Sequence, residues 1–292
     1  MSRTPSSPGH PESAEDSDIA WSTEVLDLES RDALFAHEPE RQLPTASIGK
    51  VLLLIEMYRQ AEDGLVDLAA PLPLDPSHEV ADSGLLHLFR DRSITIADAC
   101  LLVGAVSDNF ATNALIDLCG LGAVQATTRD LGLTQTALLD VIRDDRGPQH
   151  PPAPSHGTAG ELAQLFARLH AGTVVSPEVS AQVLDVLSAG TDTSMVAGGL
   201  HLDPLAHCEA DGGVRLWHKT GHDAGVRADA GIVTGPAASL AYAVIARWAP
   251  EEDTGPTPVR IAVEDHMRAI GAAIRDHVLD TEVAMVEPRE VD

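Results

Sequence analysis

Segments with the alternation of β-strands lie at both ends of this chain, and the stretch between them reads almost entirely as helix. Near the amino terminus, "AWSTEVLDL" and "ALFAHEP" alternate partially and are joined by the polar "ESRD", which predicts a β-hairpin between Ile19 and about Leu43. After residue 205, "GVRLWHKT", "VRADAGIVTG" and "SLAYAVIARWA" are spaced as a meander of antiparallel neighbours. Strands at both ends around a helical middle predict an α+β fold whose terminal segments pair into one sheet.

The middle supplies the helices. "TIADACLLVGAV", "NFATNALIDLCG", "GTAGELAQLFARLHAG" and "PEVSAQVLDVLSAG" are helical in pattern, and several stop at a glycine. The run from Val51 to Tyr58 is apolar around most of a helix's circumference, which marks a buried helix. "DDRGPQHPPAPSHG", 144–157, has no periodicity and is expected to be a long loop, a kind that is usually functional or disordered in a compact domain. A last helix is expected over 256–278, and no internal repeat is visible. The expected organisation is a tail (1–18), a sheet domain from 19–45 and 206–283, an all-helical domain from 46–205, and a second tail (284–292).

With 292 residues the chain can bury a sizeable core as one large domain or two intimately packed ones. A formal charge of −26 argues against nucleic acid and anionic membranes as partners. The first 18 residues hold no apolar core of the kind a signal peptide needs and read as disordered, and no segment is apolar for long enough to span a bilayer. Three cysteines, Cys100, Cys119 and Cys208, form no disulfide framework. A cytoplasmic location is the expectation, or a secreted one if a leader has been trimmed. "HLDPLAHCEAD" offers metal donors at His201, His207 and Cys208 without a metal-site spacing, so neither metal nor cofactor is expected.

Among the 19 basic residues only two are lysines, Lys50 and Lys219. Arginine can replace lysine wherever only a cation is wanted, but not where the amine must shed its proton. Both lysines lie in short motifs. Lys50 closes Ser47-x-x-Lys50, Ser107-Asp108-Asn109 follows, and Lys219 opens Lys219-Thr220-Gly221. Each triplet alone is a weak signal. Their order, with both lysines inside them, is a strong one.

On these motifs the chain resembles the penicillin-recognising serine enzymes, and class A β-lactamases most, from about Ile19 to about Asp280. The resemblance implies a five-stranded antiparallel sheet flanked by terminal helices, with an all-helical domain inserted and the active site at the junction. Ser47 and Lys50, one turn apart on a helix, share a face. Burial and a second cation would lower the amine's pKa, so that Lys50 can act as the base toward Ser47, whose own backbone N–H faces the developing oxyanion. The resemblance further implies that Ser107 carries a proton to the leaving nitrogen and that the Asn109 side chain bonds the substrate amide. It places Lys219 and Thr220 on an edge strand that receives the substrate carboxylate, and the His222 N–H in the oxyanion hole. Gly221 leaves room for a ligand lying along the strand. Asp108 is expected to brace its loop. Arg227, eight residues after Lys219, either adds a bond to the carboxylate or forms an ion pair with Asp229 or Asp223.

The chain departs from the class A pattern in one respect: the loop sequence Glu-x-x-Leu-Asn, whose glutamate activates the deacylating water, is absent. The nearest acids are Asp140, Asp144 and Asp145, with Glu161 assigned to the next helix. The expected activity is hydrolysis of a small-molecule β-lactam or related acyl substrate through a Ser47 acyl-enzyme that deacylates slowly. The alternatives are a D,D-peptidase, esterase or amidase with the same machinery, and a covalent β-lactam sensor.

Overall fold

The computed structural model describes residues 19–80, 83–206 and 210–280. The expected tails, 1–18 and 284–292, lie outside the described residues, as do His207 and Cys208.

The chain enters through strands β1 (Ala20–Asp27) and β2 (Ala33–His37), then the short β3 (Leu43–Pro44). Helices α1 (Lys50–Glu62), α2 (Ile96–Val106), α3 (Asn109–Cys119) and α4 (Leu121–Asp130) follow. Next come β4 (Ala137–Leu138), β5 (Ser155–Gly157), α5 (Ala159–His170) and α6 (Pro177–Ser188). The meander β6 (Arg215–Asp223), β7 (Val226–Thr234) and β8 (Ser239–Arg247) leads to α7 (Pro258–Leu279). The helix starts are written in the sequence. Thr95 and Asp98 form a capping box for α2, Asp108 caps α3, and Thr158, Ser176 and Thr257 cap α5, α6 and α7, the last two with proline in the first turn.

The five long strands form one antiparallel sheet in the order β2-β1-β8-β7-β6, so the first and last segments of the chain are joined through β1 and β8. This is the sheet expected from the sequence, and its β6 edge is free to face a cleft. Period-two alternation splits its residues between two cores. Ala228, Ala230, Ile232, Ala241, Ala243 and Ile245 join the core built on α1 and α5. Val233, Leu240, Tyr242, Val244 and Ala246 join Val263, Met267 and Ile274 of α7 on the other face. Of the terminal helices expected to flank the sheet, the described residues contain α7.

Helix α1 is buried on nearly every side, with Val51, Leu53, Leu54, Ile55 and Met57 inaccessible to solvent. Truncating Leu53, Leu54, Ile55 or Met57 to alanine costs ~2–5 kcal/mol, enough to threaten the whole fold. The proline-rich segment is a loop up to Pro154, but its last three residues form β5, which pairs between β3 and β4.

Candidate active site

Ser47 sits in a 3-10 turn, Ala46–Gly49, that runs directly into α1, so it precedes the α-helix instead of occupying its first turn. Ala46 holds φ at +46°, a left-handed value that a non-glycine residue adopts only under constraint. The constraint is visible. The Ser155 hydroxyl donates to the Ala46 carbonyl at 2.5 Å and lies 2.8 Å from the Thr45 hydroxyl. Strand β5 thus pins the turn that carries the serine.

Lys50, one helical turn on, is fully buried. Its Nζ donates to the Ser107 main-chain oxygen at 2.6 Å and to Asn109 Oδ1 at 2.7 Å, and lies 3.1 Å from Ser107 Oγ. Burial, with the charge of Lys219 adding to it and Asp108 opposing, pushes this amine well below the ordinary lysine range. A neutral amine has two N–H groups for the two carbonyl oxygens and a lone pair left to accept a proton. Among the described residues the hydroxyl hydrogen-bonded to Nζ is that of Ser107; none is recorded to Ser47.

Ser107 ends α2 in the left-handed conformation, φ +57°. Asp108 holds it there: one carboxylate oxygen accepts from the Leu85 and Leu86 N–H groups and the other caps α3 at the Ala111 N–H. Asp108 is therefore a brace, as expected from the sequence.

Lys219 and Thr220 are buried on β6. Burial lowers the Lys219 ammonium to about 8, with Asp192 and Asp229 pulling the other way. Gly221 has a reason the sequence reading did not supply. A Cβ there would run into the Thr45 carbonyl oxygen and lie 3.1 Å from the Ser47 nitrogen, so only glycine lets the edge strand close against the serine turn. His222 lines the cleft, and its Nε2 lies 2.7 Å from Asp192 Oδ2. Although burial opposes ionisation, this contact with His222 holds the Asp192 carboxyl far below its usual value.

Arg227 is a correction. Strand register pairs Lys219 with Ala230 and sets Arg227 opposite His222, which puts Arg227 on the α7 face of the sheet, out of phase with Lys219. Arg227 is buried there, bonded to Glu264 and Asp253 and stacked over the Trp248 ring. It does not line the cleft, and its carboxylate partners are neither Asp229 nor Asp223. Asp229 instead takes His218 and Tyr242.

Ser47, Ser107, Asn109, Lys219, Thr220 and His222 line a common cleft of about 400 Å³. Its far wall is the loop after β4, contributing Ile142, Arg143, Arg146 and Pro154. None of the three loop aspartates lines it. Asp140 is paired with both arginines, and Arg143 foremost holds its carboxyl below the ordinary range. Glu161 lies at the start of α5, bonded to the Thr134 and Gln135 N–H groups. Asn113 of α3 fixes the loop: its side chain donates to the Ile142 oxygen at 2.9 Å and accepts from the Ile142 N–H at 2.8 Å. The sequence reading missed Ile142, Asn113, Arg143, Arg146 and Asp192. The one available signal was Asn113, four residues after Asn109 and hence on the same helix face.

A sequence model described as the Beta-lactamase enzyme family matches residues 12–278. The chain belongs to that family. It is accordingly a serine hydrolase of the β-lactamase type, acting on amide bonds. The β-lactamase of Sphaerobacter thermophilus DSM 20745 superposes with a TM-score of 0.75 at 26% identity, covering 88% of this chain and 91% of that one. PBP-A superposes at 0.74 and 20% identity, covering 90% and 91%. A β-lactamase from Xanthomonas campestris pv. campestris gives 0.73 and 20%, covering 90% and 93%. No curated protein sequence matches the chain. Among the described residues no helix is long and apolar enough to cross a membrane.

Proposed function

We propose that this family member opens β-lactams through a Ser47 acyl-enzyme and releases the product slowly. In the acylation step Ser47 Oγ forms the new ester bond as the lactam C–N bond breaks. The Ser47 proton passes to the neutral Lys50 amine, and Ser107, 3.1 Å from Nζ, relays a proton to the departing nitrogen. The N–H groups of Ser47 and His222 stabilise the oxyanion, Asn109 bonds the acyl amide, and Lys219 and Thr220 receive the carboxylate.

The observation that carries slow release is the loop wall. The residue that Asn113 clamps by both main-chain groups, facing the cleft, is Ile142, which has no acid or base to offer water. General-base assistance is worth ~10²–10⁴-fold, so hydrolysis of the ester should lag acylation by about that factor. One structural neighbour, a mutant of PBP-A, is described as an acyl-enzyme complex with penicillin G. The same wall favours, as a second reading, a D,D-peptidase or esterase, whose acyl group passes to an amine or alcohol in place of water.

Nitrocefin turnover alongside intact-mass measurement tests the proposal. A burst of about one equivalent, a persistent adduct on Ser47 and slow steady turnover are expected. Rapid turnover without a burst contradicts slow release, and absence of any adduct or turnover contradicts the acyl-enzyme itself.

A further inference from the structure

The loop wall lacks a base but carries charge. Arg143 grips Asp140 with Nε to Oδ2 at 2.8 Å and Nη2 to Oδ1 at 2.9 Å, which leaves Nη1 with no recorded partner among the described residues. Arg146 shares the same carboxylate through Nη1 at 3.0 Å and fastens the loop by donating to the Pro151 and Val141 oxygens. Two guanidinium groups on one carboxylate leave an excess positive charge, and both residues line the cleft. Asp144 and Asp145 are exposed and lie outside that lining. The cleft's own carboxylates, Asp192 and Asp223, belong to its strand side, where Asp192 is taken by His222 and Ser194 and Asp223 by the Ala224 N–H. In a chain of formal charge −26, a cationic wall in the cleft is unlike the bulk of the surface.

Resting on the acyl-enzyme reading above, we infer that the loop wall is a subsite for an anionic acyl substituent, with Arg143 Nη1 as the donor. The preferred substrate then carries two anionic groups, one at Lys219 on the strand and a second carboxylate on the acyl side chain at Arg143. Arg146 and Asp140 hold the guanidinium in place: the bidentate pair fixes its plane, so the ordering entropy is already spent before a ligand arrives.

Benzylpenicillin and its α-carboxy derivative differ by that one group and form a matched probe pair. Second-order acylation rates for both, read by intact mass on the full chain, should favour the α-carboxy compound by about tenfold at low salt, a partly exposed charge-assisted bond being of that size. The ratio should shrink as ionic strength rises. In Arg143→Gln it should fall to about one, and Arg143→Lys should recover part of it. A wild-type ratio at or below one, or a ratio unchanged in Arg143→Gln, overturns the subsite while the acyl-enzyme stands. Failure of both penicillins to acylate wild-type protein overturns the acyl-enzyme and the subsite with it. Should Arg143→Gln not fold, the wild-type ratio and its salt dependence decide alone.

Discussion

To hold a carboxylate as proposed, Lys219 must be charged, and burial leaves its pKa at about 8. Acylation of the free enzyme should therefore fall as pH rises through that value. The protonated fraction is about 0.9 at pH 7 and about 0.1 at pH 9, so the second-order rate should drop about tenfold across that interval. The floor lies lower still, because losing a charged partner costs ~1.5–3 kcal/mol while Thr220 and Asn109 still hold the ligand. On the acid side the rate should fall as Lys50, whose pKa is depressed, takes up a proton. The alkaline loss is separable from unfolding by its sign. A lysine whose folded pKa is lowered is deprotonated more readily in the folded than in the unfolded chain, so its contribution to stability improves as pH rises through about 8 while activity declines. Fluorescent-penicillin acylation from pH 6 to 10 at constant ionic strength, with thermal melts on the same samples, measures both. Lys219→Arg should remove the alkaline limb, and Asp229→Asn, deleting a charge that raises the Lys219 pKa, should move it toward lower pH. A rate that stays flat to pH 9.5, or a limb that persists in Lys219→Arg, would refute the assignment.

Ser47→Ala should abolish penicillin labelling, and labelling at the wild-type rate would remove the nucleophile. Lys50→Arg should be about as damaging as Lys50→Ala, each by ~10²-fold or more, because a guanidinium cannot accept the proton; measured acylation rates that leave Lys50→Arg near wild type exclude the base role. Gly221→Ala should lower acylation by ~10²-fold, since the new methyl forces the edge strand off the serine turn by a fraction of an ångström to an ångström. Ile142→Glu should speed deacylation by ~10²-fold, toward the low end for a general base because Arg143 and Arg146 flank it and keep its pKa low; an unchanged lifetime of the adduct in intact-mass spectra would show that the clamp at Asn113 does not aim this side chain at the ester.

The sequence made the fold legible where period and punctuation agree. The hairpin, the terminal meander and four of the helices fall where alternation, caps and glycine stops place them. Scarcity of lysine marks the motifs whose Ser47, Ser107, Asn109, Lys219 and Thr220 the fold brings to one cleft, with Lys50 buried beside Ser107. Arg227 shows the limit. Spacing brings it back across a hairpin toward Lys219, but a one-residue difference in register decides which face it takes, and register is set by the Ala224–Gly225 turn and by packing on α7. The loop wall was hidden for a different reason. What orients Ile142 is a side chain 29 residues earlier, and no local pattern announces a contact of that range.

The two lysines illustrate how one side-chain type is divided between two roles by its neighbours. Both are buried in a protein whose formal charge is −26, yet the abundant acids do not treat them alike. Lys219 has Asp192 and Asp229 to support its charge, which leaves it a cation at neutral pH. Lys50 is bonded to the neutral oxygens of Ser107 and Asn109, while its one opposing carboxylate, Asp108, is already spent on three N–H groups. Burial foremost, and then the charge of Lys219, drive Lys50 toward the neutral amine. In the proposed roles the base depends on the anion receptor: a substrate carboxylate settling on Lys219 would screen that charge and raise the Lys50 pKa, readying it to take the Ser47 proton as the substrate arrives.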